Sequence, residues 1–399
     1  MCKWKECTIA DLGTVVGGAT PSTKKPENYD NGVIPWITPK DLSGFQGRYI
    51  SRGERCITKL GLNSCSTQLL PKHTILFSSR APIGYVAIAE NEICTNQGFK
   101  SVVPNEKTDY MFLYYLLQYN KNSIESMGSG TTFKEVSGST MRNIRVRIPI
   151  DIDIQRKVAR VLSGIDDKIE MNIAINNNLE QQARAIFQAW FVDYEPFGGT
   201  APSEWHSSTL GQIADMKTDS WSPAKNPDVI VEHYSIPAFD EQHYPVFEIA
   251  SGIKSNKYML NSNSVMISKL NPDTKRIWRP LCLSAYSVCS TEFIVYEAKK
   301  QEQRDYIYSI LDSNPFFIHL CSHTTGSTNS RQRATPKSTL DFTLCLPPDS
   351  VIEDFCRIVT PMYDMIASNI IENQSLEKSR DSLLPRLMSG ELDVSNIDI

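Results

Sequence analysis

The chain has 399 residues, of which 41% are hydrophobic and 22% charged, and a net charge of −4; this is the balance of an ordinary globular protein long enough for two or three domains with cores of their own. No stretch of about 18 residues is both apolar and uncharged, and the opening MCKWKEC lacks the apolar core of a signal peptide, so a membrane span is excluded and a cytoplasmic location is expected. Ten cysteines without a CxxC pair read as reduced, mostly buried thiols rather than a zinc site.

The charge is unevenly divided. Residues 1–150 carry 18 basic and 12 acidic side chains, 151–195 carry 5 and 8, 196–347 carry 14 and 15, and 348–399 carry 4 and 10. Within the third segment Lys254, Lys257, Lys269, Lys275, Arg276 and Arg279 face only Asp273 in sequence. A local excess of this kind suits a phosphate backbone, with a solvated charged face as the alternative.

In chain order, a first segment opens with Trp4, Thr8, Ile9, Ala10, Asp11 and Leu12. Short apolar runs at 33–38, 74–77 and 85–89 follow, punctuated by Gly and Pro, with one helical stretch at 109–119. A polar loop, GSGTTFK at 128–134, leads to a last strand at 144–148 closed by Pro149. The pattern predicts an α/β (α+β) globule of bent mixed sheets with a helix after the strands.

The next segment, 151–195, reads as helix. Ile165, Ile169, Asn172, Asn176, Leu179, Ala183, Ile186 and Trp190 step by three or four residues, a narrow stripe that requires a partner. A break is expected at Ser163-Gly164, leaving a long helix over 164–191 of roughly 42 Å at about 1.5 Å per residue, comparable to a DNA turn of about 34–36 Å.

The third segment, 196–347, repeats the first. Trp205, Thr209, Leu210, Gly211, Gln212 and Ile213 stand 201 positions after their counterparts, and the module closes with TGSTNSRQR at 325–333, a strand at 342–346 and Pro347. The last segment, 348–399, repeats the helix. Asp167, Ile169, Asn172, Ile173, Asn176, Leu179 and Glu180 return as Asp364, Ile366, Asn369, Ile370, Asn373, Leu376 and Glu377, all at an offset of 197. Seven identities at one offset establish an internal duplication: globule, helix, globule, helix.

The two stripes are each other's natural partner, with Ile165, Ile169, Asn172, Asn176, Leu179 and Ile186 facing Ile366, Asn369, Asn373, Leu376 and Leu383. The asparagines would fix register at some cost in stability. A second break is expected at Thr360-Pro361, and Arg380, standing where the first copy has Ala183, is expected to open the seam.

Catalytic signatures are missing. LPPD at 346–349 and FGG at 197–199 do not make the (N/D/S)PP(Y/F/W) and glycine-rich loops of an adenine methyltransferase, and no GxxxxGK(S/T) is present. His319 and His323, at i and i+4, lack the glutamate of a zinc protease and read as a structural pair; Ser78-Ser79-Arg80 lacks a nucleophile elbow. The chain is read as non-catalytic.

On ILFSSRAPIG at 75–84, NQGF at 96–99, the helix words IDDKIEMNIAINNNLEQQARAIFQAWF and LEKSRDSLLPRLMSGEL, and MISKLNP, RIW and STEF of the second globule, the sequence resembles the specificity subunit of a type I restriction-modification system. The resemblance implies two target-recognition domains separated by two antiparallel helices. Each domain would read half of a split, asymmetric site on double-stranded DNA, and the helices would set the gap and dock two methyltransferase subunits. It further implies that S-adenosylmethionine belongs to those partners, that ATP and Mg belong to an added restriction subunit, and that this chain binds no cofactor.

Two unlike heads on one chain can read two different half-sites, which a symmetric dimer cannot. Candidates for DNA contact are Ser79, Arg80, Asn96, Gln97, Thr131, Thr132 and Lys134 in the first head. In the second they are Lys269, Lys275, Arg276, Asn329, Ser330, Arg331, Gln332 and Arg333. The alternatives are plain solvent turns for the glycine loops and a structural role for Ser78-Ser79-Arg80, Asn96 and Gln97. Phe187, Trp190 and Phe191 are read either as a docking face or as core. The rival reading of the whole chain is a two-headed coiled-coil adaptor that binds protein only.

Overall fold

The structure, a computed structural model, describes residues 3–45, 47–80, 82–129, 134–326 and 332–397. The fold is mixed α/β, and the chain divides into two compact units, 1–171 with 373–399, and 172–372. The sequence boundaries near 150, 195 and 347 part globule from helix. The compact units instead join each globule to stretches of both helices, because the apolar stripes bury their side chains in the globular cores.

In the first unit, strand Trp4–Thr8 pairs antiparallel with Arg145–Pro149, Trp4 opposite Pro149. A five-stranded sheet holds Gly13–Gly17, Lys100–Pro104, Ile75–Ser79, Ile83–Ala89 and Tyr49–Ile50 in spatial order, and a three-stranded sheet holds Arg55–Ile57, Ile34–Ile37 and Cys94–Thr95. The last two strands run parallel. Helix Tyr110–Tyr119 starts where the Asp109 carboxylate accepts the Phe112 N–H at 2.8 Å, a side-chain cap on an otherwise unpaired amide. It buries Phe112, Leu113, Tyr115 and Leu116.

The second unit repeats this plan. His206–Thr209 pairs with Thr343–Leu346. A four-stranded sheet holds Ala214–Lys217, Phe293–Ala298, Ser264–Ser268 and Ile277–Trp278, and a five-stranded one holds Ser220–Trp221, Lys257–Met259, Ser287–Ser290, Ile230–Tyr234 and Val246–Ile249. Again the sheet carries one parallel pair, Ile230–Tyr234 with Ser287–Ser290. Helix Arg304–Asp312 takes the place of Tyr110–Tyr119.

The two long helices run Ile152–Phe191 and Asp349–Ser389 without interruption, so the expected breaks at Ser163-Gly164 and Thr360-Pro361 do not occur. Gly164 faces open space and costs only about 1 kcal/mol relative to alanine. Pro361 is exposed while Val359 and Tyr363 beside it are buried; packing holds the helix on its inner face, and the carbonyl that proline leaves unpaired, that of Arg357, lies on the wet side. The second helix stops at Gly390, whose φ of +78° and close approach to the Trp4 ring admit no side chain.

The stripes pack as antiparallel partners within each unit. In the second unit Asn369 Nδ2 donates to Asn176 Oδ1 at 2.8 Å and Asn172 Nδ2 to Glu372 at 2.7 Å. Further along, Ala183, Phe187 and Phe191 meet Phe355, Val359, Tyr363 and Ile366, with Leu179 and Ile186 half-buried against them. In the first unit Val158, Ala159 and Leu162 share a core with Leu387 and Met388, flanked by Leu383. Of the remaining seam positions, Ile169 and Asn373 are buried and Ile165 and Leu376 half-buried.

Arg380 does not open the seam. Its guanidinium donates to Asp166 at 2.9 Å, and Asp166 also accepts the Tyr115 hydroxyl at 2.5 Å. The charge is carried inside because a carboxylate one helix away compensates it. The aromatic end of the first helix is core: Phe191 stands 5.0 Å from Phe355 and 4.9 Å from Tyr306, edge to face.

Candidate nucleic-acid interface

Each globule brings three segments to one point. In the first unit, the hairpin of Ile75–Ser79 and Ile83–Ala89 ends beside the 96–99 turn and the stretch 134–136. Ser79 N–H donates to the Gly98 carbonyl at 2.7 Å, and Val136 N–H to the Ser79 carbonyl at 2.9 Å. Below the tip, Ser78 Oγ donates to the Pro82 carbonyl and accepts the Tyr85 N–H, both at 2.8 Å.

The second unit has the same junction. Lys269 N–H donates to the Glu292 carbonyl at 2.9 Å, and Ala334 N–H to the Lys269 carbonyl at 2.9 Å. Ser268 Oγ braces the tip by donating to the Leu270 carbonyl at 2.9 Å. Ser78-Ser79 and Ser268-Lys269 are therefore equivalent, as are Gly98 and Glu292, and Val136 and Ala334. The backbone and the bracing serine are shared, and the other side chains are not.

Ser79 is fully buried, with its hydroxyl on the Gly98 carbonyl at 3.1 Å. It builds the junction and has no surface to offer DNA, which corrects its reading as a contact residue. Asn96 is half-buried and its Oδ1 accepts the Gly98 N–H at 2.8 Å, shaping the turn. Gln97 is exposed and accepts the Thr20 hydroxyl. Lys134 is exposed, and Arg80 lies 3.9 Å from Glu135, which also holds Lys100 at 3.2 Å. Thr131, Thr132, Asn329, Ser330 and Arg331 lie outside the described residues.

The basic cluster of the second head is largely neutralised. Arg276 makes two hydrogen bonds to Asp240 at 2.6 and 2.9 Å. Lys275 reaches Asp312 at 2.5 Å, which also takes Arg184 at 2.5 Å. Arg279 lies between Asp305 at 2.8 Å and Asp364 at 2.6 Å, and Lys257 is buried. The acids come from other elements, so a charge count along the sequence overstated the free positive surface. Lys254 and Lys269 have no acidic partner within ion-pair distance among the described residues.

Gln332 is half-buried and lends its carbonyl to Asn271 N–H at 2.9 Å, which ties the loop to the hairpin tip. Arg333 is exposed and pairs with Glu292, which raises its guanidinium further above its ordinary value through that hydrogen bond. Glu135 and Glu292 are the functional candidates that sequence reasoning missed; Glu135 follows the loop singled out at 128–134 and Glu292 lies within STEF, and only the folded junction shows them beside an arginine. His319 Nε2 donates to the Ser338 carbonyl at 2.8 Å and His323 Nδ1 to the His319 carbonyl at 2.9 Å, so both rings have backbone partners.

A model of the type I restriction modification DNA specificity domain matches residues 1–181. The type I restriction enzyme MjaIX specificity subunit of Methanocaldococcus jannaschii is 33% identical over 418 residues, covering 99% of this chain and 94% of that protein. The chain belongs to the type I restriction enzyme specificity subunits. The HindI specificity subunit of Haemophilus influenzae is also similar, at 22% identity over 98% of this chain and 100% of that one. The crystal structure of a type I restriction-modification S subunit from M. genitalium shares the fold, with a TM-score of 0.62 at 16% identity over 97% of this chain and 96% of that one. A specificity subunit serves DNA sequence recognition and is not an enzyme. No helix among the described residues is long and apolar enough to cross a membrane.

Proposed function

We propose that this specificity subunit reads a bipartite, non-palindromic DNA site, one half through each junction. The long helices set the unread gap between the halves and dock two methyltransferase subunits. On this reading S-adenosylmethionine is held by those partners, ATP and Mg by a restriction subunit, and none by this chain.

One observation carries the reading. The same backbone junction occurs twice on one chain with different side chains, Gly98 and Glu135 in one head against Glu292 and Arg333 in the other. A shared frame keeps the approach to the groove alike, while unlike side chains select unlike bases.

The test is a band-shift assay of the complex with its methyltransferase partner, on duplexes from a map of methylated adenines in the host genome. Exchanging residues 1–150 for another head should change one half-site and leave the other. Binding that is absent, or indifferent to sequence at physiological salt, would favour the protein-only adaptor.

A further inference from the structure

In the second head Arg333 Nε donates to one Glu292 carboxylate oxygen at 2.9 Å and Nη2 to the other at 3.2 Å. The pair is bidentate along one edge of the guanidinium. Of five N–H donors this uses two. One N–H each from Nη1 and Nη2 remains side by side on the far edge, with no other partner among the described residues. Two parallel donors at that spacing match the O6 and N7 acceptors that guanine shows in the major groove. The Arg333 side chain is 46% exposed, and it stands on the return strand of the junction, Arg333–Ala334.

Arg276 shows what the same chemistry looks like when it serves folding. Asp240 grips it along the same edge, but its side chain is only 11% exposed and its Nη1 turns to the Thr274 carbonyl. The first head lacks the device: Glu135 binds Lys100 at 3.2 Å and leaves Arg80 at 3.9 Å.

We infer that Arg333 reads a guanine in the second half-site, and that Glu292 is the positioning residue that holds its guanidinium in the plane of the base pair. The inference rests on the proposed DNA readout and adds to it a residue and a base. A fixed fork is needed because a free arginine loses rotamer entropy on binding and donates to phosphate as readily as to guanine.

The experiment measures binding of the methyltransferase complex to a panel of duplexes in which each pair of the second half-site is replaced in turn. Arg333→Ala should cost about 10- to 100-fold on the cognate duplex and make the four bases nearly equal at one G·C position. Arg333→Lys should keep the charge and most of the affinity yet lose the same discrimination, and Glu292→Gln should weaken discrimination there with the first half-site unchanged. Equal weakening on every duplex, with a salt slope lower by about one, would mean a phosphate contact and overturn the inference while leaving DNA readout intact. A wild-type complex that discriminates at no position would sink both.

Discussion

Asp167 and Asp364 occupy the same position in the two copies of the helical repeat, and each accepts a guanidinium from the globule of its own unit. Asp167 takes Arg48, which also binds Glu170 through Nε and Nη2 at 2.9 Å. Asp364 takes Arg279 at 2.6 Å, which also binds Asp305. Each globule is thus keyed to its helix by one mostly buried arginine, 5% exposed for Arg48 and 11% for Arg279. The second carboxylate comes from the helix in one unit and the globule in the other.

The asymmetry fixes how the anchors respond to mutation. Arg48→Ala should cost about 2 kcal/mol, short of a fully buried pair, because Glu170 and Asp167 retain access to water. Asp167→Ala should cost under about 1 kcal/mol, since that carboxylate is mostly exposed and Glu170 remains. Arg279→Ala should cost more than either, about 3 kcal/mol, because it strips Asp305 of one of two guanidinium partners. Urea unfolding of the three variants checks the order.

The Asn176–Asn369 hydrogen bond predicts a second pattern. Replacing either residue alone with leucine leaves a buried (Asn176) or half-buried (Asn369) amide without its partner, at a cost of about 1–3 kcal/mol. Replacing both should recover most of that loss, and what is lost is register rather than stability. A double-mutant cycle by denaturant unfolding reads the coupling; additive losses would mean that the bond contributes nothing specific.

The repeat, the mixed sheets and the seam were legible because duplication and 3.6-residue periodicity are local properties of the string. Pro361 and Gly164 misled because helix breakers act locally while the buried faces of Val359, Tyr363 and Leu162 decide the outcome. The charge of residues 254–279 misled for the converse reason: Asp240, Asp305, Asp312 and Asp364 cancel it from elsewhere in the chain. Ser79 has the residue type of a DNA contact, and only the folded junction shows its hydroxyl turned inward onto Gly98.

Acid should act on the second unit through Asp305. Burial pushes its carboxyl up, but hydrogen bonds and charge from Arg304 and Arg279 outweigh burial and hold it below the ordinary carboxylate range. Its folded pKa is below its unfolded value of about 3.9. Its contribution to stability is therefore present above that value and lost as pH falls through the folded pKa. Asp305→Asn should be less stable than wild type at pH 7, and the difference should shrink below about pH 4. Urea midpoints between about pH 7 and pH 3 measure it, and a constant difference would assign the loss to shape rather than charge.

The helices as spacer make the most demanding prediction. Seven residues inserted into each long helix lengthen it by about 10.5 Å at about 1.5 Å per residue, close to three base pairs at about 3.4 Å each. Seven residues turn an α-helix through nearly two full rotations, leaving about 20° to be absorbed, so the stripe still faces its partner. The inserts belong at the points where the chain passes from one compact unit to the other, after Met171 and after Glu372, so that neither globular core is disturbed. Mapping methylated adenines in cells carrying the variant should show both half-sites unchanged and the gap longer by about three base pairs. The same gap with intact half-sites would mean that something other than helix length spaces the two heads.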